Sequence, residues 1–241
     1  DLRQRYLAGR VGAIKDAKSP MINESPILGE LRTFETALAA TDPGVAATSD
    51  RFAQQPKTMY ESSERYGQFA ENKRIPTGKE YIKMIEKKTA VLFEVSCAMG
   101  AICAKRKQKD VKNLSSFGRN LGIVFQITDD LIGIIGDSKV TKKPVGNDIR
   151  EGKKSLPIIL AIKKAKGKNR KTIMRVFGNS KASKQQINLA VNVIRSLGVE
   201  DEVRSMTLKY AQQAEKSLNT YTGTAKNEII SLLDFVIKRR L

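Results

Sequence analysis

From residue 77 onward, apolar side chains recur at three- and four-residue steps, and no segment sustains a period of two. Helices bury such a pattern on one face and strands do not, so the spacing predicts an all-α fold. Thr77-Gly-Lys-Glu80 is a capping box, in which the Thr hydroxyl satisfies one orphan amide and the Glu reaches back to another. Behind it Tyr81, Met84, Ile85, Leu92, Val95, Met99 and Ile102 trace one buried stripe of a long helix. The basic stretch Lys105–Lys112 reads as a loop, and a second apolar helix runs from about Leu114 to Ile135, closed by Gly136. Lys139–Gly152 reads as a polar loop, and the helix after it tolerates Pro157 only in its first turn. Ser183-Lys-Gln-Gln186 caps a helix ending at Leu197-Gly198, and helices over about Glu200–Leu218 and Thr224–Arg240 complete the chain.

Charge divides the chain unevenly. Residues 1–68 hold nine basic and nine acidic side chains and four of the seven prolines, so the whole net charge of +19 lies in residues 69–241. That step predicts a boundary near Tyr66–Phe69, with an unassigned helical segment over 1–68 and a second domain over 69–241. Histidine is absent, which removes His-based nucleophile pairs, His-containing zinc sites and imidazole acid–base chemistry. Cys97 and Cys103 lie six residues apart, on different faces of a helix, and read as reduced core thiols of a cytoplasmic protein. No apolar run approaches the roughly 20 residues of a membrane span, and the start shows no apolar secretory core.

Chemistry concentrates in Leu121–Gly136, where Asp129 and Asp130 stand side by side inside an otherwise apolar helix. Burying two adjacent carboxylates is costly unless a cation meets them; a surface pair at a helix bend is the plain alternative. Without histidine, an oxygen-only site points to Mg²⁺, a hard ion that keeps waters and bridges to phosphate oxygens. The next loop offers Lys142, Lys143, Arg150, Lys153 and Lys154, interleaved with Gly146 and Gly152, which would let backbone approach an anion. Carboxylates for a metal followed by lysines for an anion form the arrangement of a diphosphate site.

Phe125-Gln126-Ile-Thr-Asp129-Asp130-Leu-Ile-Gly-Ile-Ile-Gly-Asp137, followed by Lys143-Pro-Val-Gly-Asn-Asp148-Ile-Arg-Glu-Gly-Lys153-Lys-Ser-Leu-Pro157, resembles the second aspartate-rich region of trans-isoprenyl diphosphate synthases, with an archaeal geranylgeranyl diphosphate synthase flavour. Tyr81-Ile-Lys-Met-Ile-Glu-Lys-Lys88-Thr89-Ala-Val-Leu-Phe93, with Gly100-Ala101, is similar to that family's Lys-Thr helix. The resemblance runs from about Phe69 to the C-terminus and implies the prenyltransferase helical bundle, a homodimer and Mg²⁺-dependent condensation of isopentenyl diphosphate with an allylic diphosphate. It implies that Asp129 and Asp130 bind metal. Lys88, Lys143 and Lys153 would contact the diphosphate, with Asp148 and Lys154 beside them. Thr89, Gln126 and Thr128 would set dipoles near the allylic cation, and Phe125 would line the pocket.

The sequence also departs from that family. Asp129-Asp130 is the only Asp-Asp pair, so the first acidic motif of the family is not written here, nor is its Gly-Lys-x-x-Arg-Pro signature. Tyr66-Gly67-Gln68 is similar to the family's Gly-Gln, without the aspartate that follows it. Omitted segments of a longer chain, a divergent or fused N-terminal part, and a non-catalytic subunit needing a partner all account for this. A rival of another class is a helical module binding nucleic acid or anionic membrane through its +19 charge; scarce aromatics and no Trp argue against a base-stacking platform.

Overall fold

The computed structural model describes residues 74–136 and 146–239. Ten helical elements follow one another there, and no strand occurs among the described residues. Helix α1 (Gly78–Ile85) begins at Thr77 with both bonds of the expected capping box in place. It passes through a π-helical turn, Glu86–Ala90, into α2 (Val91–Cys103). The π turn adds one residue to the helical repeat, and the buried face rotates with it. Tyr81 and Ile85 are buried as the stripe predicts, but beyond the turn the buried positions are Ala90, Val91, Ala98 and Ala101. Leu92 and Met99, assigned to the buried stripe, are instead 52% and 36% exposed. A pattern of side chains does not reveal where a helix inserts a residue.

A four-residue connection leads into α3 (Gln108–Ile135), so the expected loop over Lys105–Lys112 is half helix. Its first-turn residues are polar because they face solvent, which composition alone reads as loop. Helix α3 is 28 residues long, about 40 Å, and is the axis of the bundle. Gly118 and Gly122 bring it against α2: a Cβ at Gly118 would lie 2.3 Å from the Phe93 carbonyl oxygen, and one at Gly122 2.5 Å from the Ala90 Cα. The pair, one turn apart, lets backbones meet where side chains would hold them apart.

The short helix α4 (Asn147–Arg150) interrupts what sequence reads as loop, and α5 (Leu156–Lys164) follows with Pro157 in its first turn. All of Leu156–Ile162 is buried, as suits a helix that is apolar on every side. Helix α6 (Gly167–Val176) has no counterpart in the sequence reading; α7 (Lys184–Ser196), α8 (Val199–Ser217) and α9 (Thr224–Lys238) match it within a few residues. One core joins Tyr81, Ile127, Leu131 and Ile134 to α5, α7 and α8. A second joins Phe117, Leu121 and Val124 to Ala211, Leu233 and Val236. Each fully buried Leu or Ile contributes about 1.5–3 kcal/mol.

The thiols also differ from expectation: Cys103 is exposed, at the end of α2, and only Cys97 is half-buried. The glycines of the basic loop serve packing. Gly146 has φ 75°, and a Cβ there would lie 2.6 Å from the Ile187 side chain; one at Gly152 would lie 3.0 Å from the Gly178 Cα. The close approach they permit here is to Ile187 and to Gly178. The expected boundary at 66–69, Tyr66-Gly67-Gln68 and the N-terminal helices lie outside the described residues.

Candidate active site

Helix α3 passes the π turn with Gln126 facing Thr89, and a chain of hydrogen bonds begins there. The Thr89 hydroxyl donates to Gln126 Oε1 at 2.7 Å, and Gln126 Nε2 donates to Asp130 Oδ1 at 2.8 Å. The Tyr81 hydroxyl donates to the other carboxylate oxygen, Asp130 Oδ2, at 2.7 Å. Gln126 and Asp130 are one turn apart and share a face, which the Gly122 contact presses against α1 and α2. Lys88 stands exposed on the same π turn, adjacent to Thr89.

Asp130 is strongly perturbed. Burial pushes its carboxyl up to about 6, repulsion from Asp148 and Asp129 adds to this, and the Tyr81 and Gln126 hydrogen bonds oppose it. Asp148 approaches because residue 133 is glycine: a Cβ there would lie 2.5 Å from Asp148 Oδ2. On its other side Asp148 Oδ1 accepts from Lys153 Nζ at 2.8 Å, and Lys153 also pairs with Glu151 at 2.9 Å. These carboxylates hold the Lys153 ammonium well above the usual lysine range, the Asp148 bond contributing most. Lys154 is buried, and burial followed by repulsion from Arg74 lowers its pKa.

Asp129 diverges from its neighbour by one residue of helix, about 100°. It faces Arg239, just past α9, at 3.6 Å. The Arg239 guanidinium lies 5.3 Å from the centroid of the Phe125 ring, and Phe125 packs on Phe93 at 5.4 Å. Thr128, two residues from Gln126, lies on another face of α3, where it lines a cavity of about 100 Å³ with Thr207 and Arg204 of α8 and with Arg239, the arginine that faces Asp129. Lys142 and Lys143 lie outside the described residues.

The structure thus assembles Thr89, Gln126, Asp130, Asp148 and Lys153, sets Lys88, Asp129 and Phe125 at their margin, and places Thr128 on another face of α3, beside Arg239. Sequence reading missed two participants. Tyr81 was assigned to a buried stripe, although a buried phenol needs a partner for its hydroxyl, and that requirement was the available signal. Arg239 had none, since nothing in a C-terminal Lys-Arg-Arg run indicates where the last helix ends.

The donor set suits a hard cation. No group of three or more metal-ligating side chains occurs among the described residues. An ion held by Asp129 or Asp130 would complete its shell with water and phosphate oxygens, as Mg²⁺ commonly does. The raised Asp130 carboxyl, crowded by two further acids, is a place where added positive charge is favourable. No described helix is long and apolar enough to cross a membrane.

Comparison with known proteins identifies the family. The family model described as polyprenyl synthetase matches residues 57–194. The geranylgeranyl diphosphate synthase of Sulfolobus acidocaldarius is 38% identical over 164 residues, covering 67% of this chain and 49% of that protein. That of Saccharolobus solfataricus is 39% identical over 173 residues, covering 70% and 52%. The crystal structure of geranylgeranyl pyrophosphate synthetase from Pyrococcus horikoshii superposes with a TM-score of 0.74 at 30% identity, over 82% of this chain and 60% of that one. A polyprenyl synthase from Caulobacter crescentus, complexed with calcium and isoprenyl diphosphate, gives a TM-score of 0.72 at 26% identity, over 81% and 60%. The chain spans about half the length of the relatives it matches. With its helical architecture, its ordered motifs and more than half its length matched by one family model, the chain belongs to the polyprenyl synthetase family.

Proposed function

We propose that the chain carries the allylic-diphosphate half of a trans-prenyltransferase site, for condensation of isopentenyl diphosphate with an allylic diphosphate to a geranylgeranyl-type product. The observation that carries this reading is the juxtaposition of a half-buried, doubly hydrogen-bonded Asp130 with the Asp148–Lys153 pair. Acid to attract a cation and ammonium to attract an anion stand side by side. The Caulobacter relative, crystallised with a divalent cation and isoprenyl diphosphate, supports it.

In that reaction the allylic carbon–oxygen bond breaks, leaving negative charge on diphosphate and positive charge on carbon, and the alkene of isopentenyl diphosphate supplies electrons for the new carbon–carbon bond. Asp129 and Asp130 would hold Mg²⁺, which would supply cationic charge at the diphosphate end. Lys153, Lys143 and Lys88 bind and orient the diphosphate, and Lys154 adds charge close by. Thr89 and Gln126, locked by their mutual hydrogen bond, keep oriented dipoles that need no rearrangement as charge develops. Phe125 and Phe93 present aromatic surface and exclude water. The proton lost at the end passes to the released diphosphate, so a site without histidine is sufficient. Homodimerisation is part of this proposal by likeness to the family.

Calorimetric titration with an allylic thiodiphosphate tests the reading: binding should require Mg²⁺, and undiminished affinity in excess EDTA refutes it. A second reading rests on the single Asp-Asp pair in 241 residues. Metal on one side cannot encircle a diphosphate, so these residues expressed alone should bind it weakly and not elongate it. Robust elongation of radiolabelled isopentenyl diphosphate by the 241-residue chain refutes that second reading. It would assign the missing acids to Glu30, Glu35 or Asp50, which lie outside the described residues.

A further inference from the structure

Between Gly152 and Val199 the chain carries twelve Lys and Arg and no Asp or Glu. Elsewhere several exposed cations have carboxylates within reach: Arg119 meets Glu94 at 2.7 Å, Arg204 meets Glu200 at 2.8 Å and Lys238 meets Asp234 at 3.1 Å. Within the acid-free span, Lys164 reaches Glu202 of α8, and Lys153 belongs to the Asp148–Lys153–Glu151 group. Helix α6 turns its basic face outward. Ile173 and Val176 are buried, while Lys168, Lys171 and Arg175 are exposed around the other side. Lys163 and Lys166 lead into the helix and Lys181 and Lys184 follow it, all exposed. None of these seven is in a salt bridge among the described residues. Met174 of α6 is 41% exposed beside them, and Leu189 of α7 is 57% exposed.

Like charges held together on one face repel, and an extended anionic surface offsets that repulsion. We propose that α6 and its flanking turns dock on a bilayer that contains anionic lipid. Two observations favour lipid over nucleic acid. Phe177, the one aromatic residue of the span, is half-buried, so no ring is available for bases to stack on. Met174, on the same helix as Lys171 and Arg175, supplies an exposed apolar side chain that can enter the headgroup region beside the lysines. The surface stands independently of the catalytic reading.

The test is co-sedimentation of the 241-residue chain with vesicles of phosphatidylglycerol and phosphatidylcholine in equal parts, and with phosphatidylcholine alone, at rising NaCl. The chain should bind the anionic vesicles, ignore the neutral ones and dissociate as salt increases. Each cation near the surface is worth about fivefold in partitioning, so the triple variant Lys168→Glu, Lys171→Glu, Arg175→Glu should lose on the order of a hundredfold or more. A control with the same net charge, Lys112→Glu, Lys209→Glu, Lys216→Glu, should lose less than about tenfold. The Gln versions of the three α6 substitutions should lose less than the Glu versions, and they replace them if those melt early. Equal losses in test and control would assign binding to net charge and overturn the proposal. Absence of any preference for phosphatidylglycerol would overturn it as well, as would tighter binding of duplex DNA than of vesicles through the same three residues.

Discussion

Asp130→Asn should stabilise the protein at neutral pH and lose that advantage in acid. Burial strips water from Asp130, Asp148 and Asp129 repel its charge, and its carboxyl titrates at about 6 against an ordinary 3.8. Two units correspond to about 3 kcal/mol, the amount by which ionising this group works against the fold. The folded pKa is raised, so the folded state keeps its proton to higher pH than the unfolded chain. Wild-type stability from this group is therefore intact below about pH 3.8, falls as pH rises towards about 6, and is level beyond. Asparagine preserves the bonding, because its carbonyl can accept from Gln126 while its amide donates to the Tyr81 hydroxyl oxygen. The variant should be more stable by about 3 kcal/mol at pH 7.5, by about half that at pH 5, and by little near pH 4. At roughly 2–4 °C per kcal/mol this is a rise in Tm of about 6–12 °C at pH 7.5. Urea unfolding followed by circular dichroism in EDTA from pH 4 to 8 measures it. A difference that does not vary with pH, or a less stable Asn variant at pH 7.5, would refute the reasoning.

Lys153→Ala should cut affinity for inorganic diphosphate about tenfold or more, since charge-assisted bonds are worth about 1.5–3 kcal/mol. It should also push Asp130 to titrate still higher, because Asp148 loses its counter-charge; calorimetry and the pH profile read the two effects. Lys143→Ala should weaken diphosphate to a similar degree, and unchanged affinity returns that loop to a solvated surface. Asp129→Ala should greatly weaken Mg²⁺-dependent diphosphate binding, and titration in Mg²⁺ and in EDTA separates this from a general loss of affinity. Gly122→Ala gains about 1 kcal/mol of helix propensity but sets a Cβ 2.5 Å from the Ala90 Cα. Overpacking of about 1–3 kcal/mol should dominate, and a raised Tm would contradict the close α2–α3 contact.

The helices were legible because each carries its own boundary chemistry. The boxes at Thr77 and Ser183 and the left-handed Gly198 are local signals, fixed by hydrogen bonds within a few residues. The acidic pair was legible for a different reason: charge amid apolar residues has to be explained wherever the chain goes. Helix α6 escaped because its face is so basic that the apolar contribution reduces to Ile173 and Val176.

What lay beyond the sequence depends on rotation and distance between elements. One extra residue in the π turn decides that Leu92 and Met99 face outward. The two glycines of α3 decide that Gln126 reaches Thr89, and Gly133 decides that Asp148 reaches Asp130. Which residues are helical, and which charges need partners, are properties of neighbours along the chain. Tyr81 meeting Asp130 across 49 positions, and Arg239 meeting Asp129 and lining one cavity with Thr128, are outcomes of packing. A single residue's shift in helical register would undo each of them while leaving every local signal unchanged.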